Sequence, residues 1–136
     1  MSKNICGYVY CGCYNDNHNI GTYKIGITYN SPTKRQYSIS KQNGKEFKML
    51  KYIRVDNINK QDLLFVESWL RRELSQHIQY DPTSNDHFHY NKDNIIIEDI
   101  TNICIESAKK ALHFIGYKDY QIKNKIHSTQ MNIEEL

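Results

Sequence analysis

Nowhere in these 136 residues is there an apolar run long enough to span a bilayer or serve as a secretory leader. The expectation is therefore an intracellular, non-secreted chain with no membrane partner. Without an export signal, Cys6, Cys11, Cys13 and Cys104 are not expected to form a disulfide framework. Nor do they read as a zinc site, because Cys11 and Cys13 are one residue apart inside a strand-like stretch and not around a turn. Reduced, partly buried thiols are the expectation. Among the histidines, His77, His87 and His89 leave a zinc site open as an alternative. The chain also lacks internal repeats, low-complexity tracts and any obvious second domain.

What is present suits one modest globular core: 39% hydrophobic and 24% charged residues. The formal charge of +3 conceals a polarity. Residues 1–56 hold nine basic and three acidic side chains, a net of +6. Residues 57–136 hold nine basic and twelve acidic, a net of −3. A basic half can attract phosphate, although a bias toward Asn, Lys, Ile and Tyr in the coding would produce the same balance.

Residues 5–13, "ICGYVYCGC", and 22–28, "TYKIGIT", read as two strands around a polar, Asn-rich loop, hence an antiparallel hairpin. A turn centred on Asn17 puts Tyr10 across from Lys24 and Tyr8 across from Gly26. Tyr8, Tyr10, Lys24 and Thr28 then share one face, while Val9, Cys11, Tyr23, Ile25 and Ile27 share the other, toward the core. A short helix should follow, with Ser31 as N-cap, Pro32 at the first position, Gly44 as the stop, and Ile39 as core anchor near Arg35. Residues 47–55 alternate as a third strand whose buried face is ambiguous. A long helix starts at Asn59 or Asp62, and a last helix covers 103–115. Between them, residues 80–94 are turn-rich with an extended piece at Phe88–Tyr90, and "IIIED" at 95–99 is a strand or a helix entry. Beyond Tyr117 the chain is polar and expected to fray.

Glu67 is the odd placement. On a helical wheel Val66, Leu70, Leu63, Leu74, Ile78 and Leu64 fill an arc from about 0° to about 160°, and Glu67 falls inside it at about 100°. A stranded carboxylate would cost several kcal/mol, so it needs a cation, a basic partner or a wet cleft. The plain partner is Arg71, one turn on. The other reading joins three elements: the hairpin's phenols and Lys24, a phosphate-matching Arg35, and Glu67 holding a hard cation through oxygen. That set could supply the needs of phosphodiester hydrolysis. Singly, Tyr8, Tyr10, Lys24 and Arg35 are ordinary surface or sheet residues; their convergence is the signal.

"YVY", then "YKIG", then "PTKR", then "VES" on a helix resembles the GIY-YIG nuclease superfamily, in its phage and large-DNA-virus branch with a "YKIG" second motif. The likeness runs from Gly7 to about Tyr90. It implies an α/β fold, a small central antiparallel sheet of about three strands flanked by helices. Residues 1–100 would be its core, and residues 101–136 a C-terminal helix and polar tail on the same domain. It further implies a metal-dependent endonuclease cutting DNA. Tyr10 would activate water, Arg35 would contact the scissile phosphate and Glu67 would bind Mg²⁺ or Mn²⁺. Lys24 stands where the superfamily's title tyrosine would be, and Gly26 matches the glycine where backbone passes close. A phenol is a weak base at neutral pH, so Lys24, expected directly across, would assist Tyr10. Tyr8, Thr28 and Asn91 are supporting residues, "DHF" at 86–88 is a partial match to the end of the domain, and Arg71 replaces a histidine that the branch often carries. One centre makes one cut, so cleavage of both strands would call for a homodimer, a second domain or a second visit.

Two other readings stay open. One is a catalytically inactive nucleic-acid binder. The other is a viral or phage adaptor anchored by Phe65 and Trp69, unless these face the last helix as core. The compartment (cytoplasm, nucleus or viral factory) is not specified by any residue.

Overall fold

A computed structural model describes residues 5–15, 19–83 and 87–124. The expected turn centre Asn17, the acidic residue Asp86 and the tail from residue 125 lie outside them. The elements are β1 (Ile5–Tyr14), β2 (Ile20–Thr28), α1 (Pro32–Asn43), β3 (Phe47–Ile58), α2 (Lys60–Leu74), β4 (Gln79–Tyr80), β5 (His87–Asn91), α3 (Ile97–Phe114) and β6 (Tyr120–Asn124). The fold is α/β, and its sheet is antiparallel in the order β4-β5-β2-β1-β3-β6. That is six strands where about three were expected. The extra ones are short or polar, and β6 carries no apolar alternation to mark it. Of the segment beyond Tyr117 that was expected to fray, Tyr120–Asn124 forms β6, which pairs Tyr52 with Lys123 and Ile53 with Ile122 on the rim of β3.

The hairpin register also differs from expectation. Tyr10 pairs with Gly26, Tyr8 with Thr28, and Lys24 with Gly12. The shift is by two residues, so the division of faces survives although each cross-strand partner changes. Val9, Cys11, Tyr23 and Ile25 form the large core with Ile53 and Val55, with Leu63, Val66 and Leu70 of α2, and with Ile100, Cys104 and Ala108 of α3. Tyr23 is tolerated there because its hydroxyl and that of Thr101 are 2.8 Å apart and share a hydrogen bond. The opposite face packs Tyr10, Tyr14, Phe47 and Met49 against Ile39 of α1. Thus α1 covers one face, and α2 and α3 the other.

The ambiguous face of β3 has a cause. Its pairing with β1 jumps from Cys11↔Lys51 to Gly12↔Met49, an extra residue at Leu50. Phe47 and Met49 therefore face α1 while Ile53 and Val55 face α2 and α3. Gly12 sits at the jump, where a Cβ would lie 2.1 Å from the Lys48 carbonyl oxygen, so no larger residue fits without backbone movement.

Helix signals held where capping chemistry is local. Ser31 accepts from Lys34 N, Pro32 opens α1, and Gly44 closes it at φ 65°. Asn59 accepts from Asp62 N at 2.8 Å to start α2. α2 ends at Leu74, earlier than its apolar pattern suggested, and α3 begins at Ile97, earlier than residue 103. Phe65 and Trp69 face α3, packing on Phe114 at ring separations of 6.0 and 5.6 Å. All four cysteines are free.

Asp62 ties the start of α2 to the chain after α3, since Tyr117 donates its hydroxyl proton to Asp62 Oδ2 at 2.7 Å. Burial, and then that hydrogen bond to a carboxylate, push the Tyr117 phenol up to about 12. The raised value means that the folded state favours the protonated phenol. Its contribution is complete below the ordinary phenol value of about 10 and is lost as pH climbs through about 12. Difference spectra between the parent and Tyr117→Phe should show one tyrosine ionising near the upper value; ionisation near 10 would remove this contact from the account. Asn59→Ala should lower stability by about 1 kcal/mol in urea melts, and a change within a few tenths would deny the cap its role.

Candidate active site

Tyr10 lies at the centre of the face covered by α1. Its ring meets Phe47 edge-on at 6.1 Å and is 1% exposed. The phenol crosses directly over Gly26: a Cβ there would stand 2.3 Å from Oη and 2.5 Å from Cζ. Glycine is required by close approach and not by a left-handed backbone, since Gly44 and Gly116 are the described glycines with positive φ.

Arg35 reaches the same hydroxyl from α1. Its Nε donates to Tyr10 Oη at 3.4 Å, and Nη1 donates to Ser38 Oγ at 3.4 Å. The helix that carries it is held in place from the next turn. Gln36 Oε1 accepts from Met49 N at 2.9 Å, Ser40 Oγ accepts from Phe47 N at 2.8 Å, and Ile39 fills the small core. These bonds satisfy backbone N–H groups of β3 where its partner β6, which pairs only with Lys51–Val55, does not reach.

Lys24 is 4% exposed and its Nζ lies 5.9 Å from the Tyr10 ring centre, over the ring. It was expected opposite Tyr10 and beside the hydroxyl. The guanidinium of Arg35 is a cation placed against Oη. Tyr8 is half-buried and edge-on to Tyr52 at 5.9 Å, and burial, followed by a hydrogen bond with Cys6, pushes its phenol up. Thr28 Oγ1 accepts from Asn30 N at 3.0 Å and so shapes the turn after β2. Asn91 lies at the end of β5, where its Oδ1 accepts from Asp93 N at 2.9 Å.

Glu67 belongs to the other layer. Its Oε1 is 3.6 Å from Arg71 Nη2, and its side chain is 16% exposed. Two findings move it from the middle of the apolar arc to its rim. Leu64, which widened the arc, is 42% exposed, and Ile78 lies past the end of the helix. The structure brings Tyr10, Lys24, Gly26 and Arg35 together; it places Glu67 on the helix across the sheet, with Arg71 as a partner.

Among the described residues, no group of three or more His, Cys, Asp or Glu side chains could hold a metal. A single partly exposed carboxylate does suit a hard cation that takes its remaining ligands from water and phosphate oxygens. His87 Nε2 is hydrogen-bonded to Tyr14 Oη at 2.9 Å, and His89 Nε2 lies 3.1 Å from Asp81 Oδ2.

Sequence reasoning missed Tyr52 and Arg54 as neighbours of Tyr8, because the bulge at Leu50 hid which way β3 faces. It also missed the pairing of Lys24 with His87, which rests on β5 joining β2. No curated protein and no solved structure matches the chain. The model of the T5orf172 domain, associated with nuclease-like phage proteins, matches residues 7–115, most of the length, and the chain accordingly belongs to the T5orf172 domain family.

Proposed function

We propose that this chain is a metal-dependent endonuclease of GIY-YIG type that hydrolyses phosphodiester bonds in DNA. The observation that carries the reading is the crossing of Tyr10 over Gly26, with Arg35 on the phenol oxygen. A buried phenol fixed to one spot by a missing Cβ is preorganised for a reaction at its hydroxyl. Family membership and the basic first half of the chain support the same assignment.

In this mechanism Tyr10 Oη holds and activates the attacking water. Arg35, whose Nη2 is not used toward Tyr10 or Ser38 in the contacts above, neutralises charge growing on the phosphoryl oxygens. Lys24 adds positive charge to the floor of the site. Glu67 would hold Mg²⁺ or Mn²⁺, and the ion when bound supplies Lewis-acid stabilisation of the phosphate and leaving oxygen. That role requires the carboxylate to leave or share Arg71 and to reach the phosphate from α2, which packs on the sheet face opposite Tyr10. The same ion pair favours a second reading, a nucleic-acid binder without chemistry, in which Arg71 is the permanent partner of Glu67.

Supercoiled plasmid separates the two. We expect nicking with Mg²⁺ or Mn²⁺, none in EDTA, and loss of at least about 10²-fold in rate for Glu67→Ala with an unchanged circular dichroism spectrum. A Glu67→Ala protein that nicks like the parent defeats the metal assignment. Salt-steep DNA retention with no nicking in any metal establishes the binder.

A further inference from the structure

Beside the phenol site, on the same face of the sheet, lies a groove of about 310 Å³ lined by Tyr14, Thr22, Asn43, Lys45, Asp81, His87 and His89. It is continuous with that site through paired strands: Lys24 lies opposite His87, and Thr22 opposite His89. Tyr14 is four residues along β1 from Tyr10, about 13 Å at strand rise. DNA advances about 3.4 Å per nucleotide along its axis, so the groove lies about four nucleotides away.

Its lining sets one lysine against one carboxylate among aromatic and polar side chains. Asp81 is the carboxylate in the lining, and its oxygens are engaged. Oδ1 accepts from the Thr83 hydroxyl and backbone N at 2.7 and 2.9 Å, and Oδ2 faces His89. Neighbouring Glu46 accepts from Asn15 Nδ2 at 3.0 Å. Lys45 is exposed, just past the left-handed Gly44 that ends α1, so the lining charge turned to solvent is the lysine's, while Asp81 is turned to Thr83 and His89. The stacked Tyr14 and His87 rings, 5.5 Å apart, give the wall a flat apolar face beside it.

We infer that this groove binds a second phosphate of the same nucleic-acid strand, neutralised by Lys45, and thereby sets how the strand runs across Tyr10. The inference rests on the nucleic-acid reading above but not on catalysis. It is tested by anisotropy of a labelled duplex in EDTA across a salt series, where nothing is cut. For Lys45→Ala the slope of log affinity against log salt should fall by about 0.9, one phosphate contact. Lys45→Arg should restore it, and Lys118→Ala, beyond α3, should leave it unaltered. An unchanged slope for Lys45→Ala overturns the proposal, as does inorganic phosphate alone displacing the duplex at the ionic strength of a matched chloride control, which would make this a free-anion site. A protein that nicks plasmid yet keeps its slope in Lys45→Ala would lose this groove and retain the nuclease assignment. One that binds with the expected slope change but never nicks would do the reverse.

Discussion

Gly26→Ala will cost about 10²-fold in nicking rate and will also lower the melting temperature, although it adds a single methyl group. The new Cβ would stand 2.3 Å from Tyr10 Oη and 2.5 Å from Cζ, well inside contact distance. Tyr10 cannot swing freely, because Phe47 is edge-on to its ring and Ile39 and Met49 complete the small core. Overpacking of this kind typically costs about 1–3 kcal/mol, and a displacement of about 1 Å at a reacting group can alone cost about 10²-fold. The two effects can be read apart. Tyr10→Phe removes the atom nearest the added methyl, so Gly26→Ala should destabilise the Tyr10→Phe background less than it does the parent. If Gly26→Ala melts and nicks as the parent does, the cradle has no role.

The second large effect is at Arg35. We expect Arg35→Ala to lose about 10²–10³-fold in turnover, the usual loss when a preorganised charge partner is removed, while the fold persists. α1 stays docked through Gln36, Ile39 and Ser40, none of which depends on the guanidinium. Arg35→Lys should rescue little, since Nε and Nη1 already span from Tyr10 to Ser38 and a lysine offers one charged point in place of a fork. Activity within a few-fold of the parent in Arg35→Ala would remove it from the chemistry. A lysine variant as active as the parent would mean that charge, and not the fork, is what matters.

Much of this arrangement was readable from residues alone, wherever the determining interaction is local. The Ser31 cap, Pro32 and Gly44 bounded α1 correctly because capping is decided within four residues. The two faces of the hairpin were readable because strand alternation survives a slip of two. The pairing of Tyr10 with Gly26 was not readable, because it depends on the true position of the turn. β6 could not be foreseen, since its strand state comes from hydrogen bonds to β3 and not from apolar side chains. The anomaly at Glu67 was overstated for a similar reason. The wheel counted Ile78 as helical, whereas its burial arises after the helix has ended.

The docking of α1 bears on how copies of this chain could associate. Gln36 and Ser40 occupy the amides of Met49 and Phe47 that would otherwise template an incoming strand. At the far side the outermost ribbon, β4, is two residues long. On the side of β3 the border strand is β6, five residues long, so among the described residues intermolecular ribbon growth has its longest template at Tyr120–Asn124.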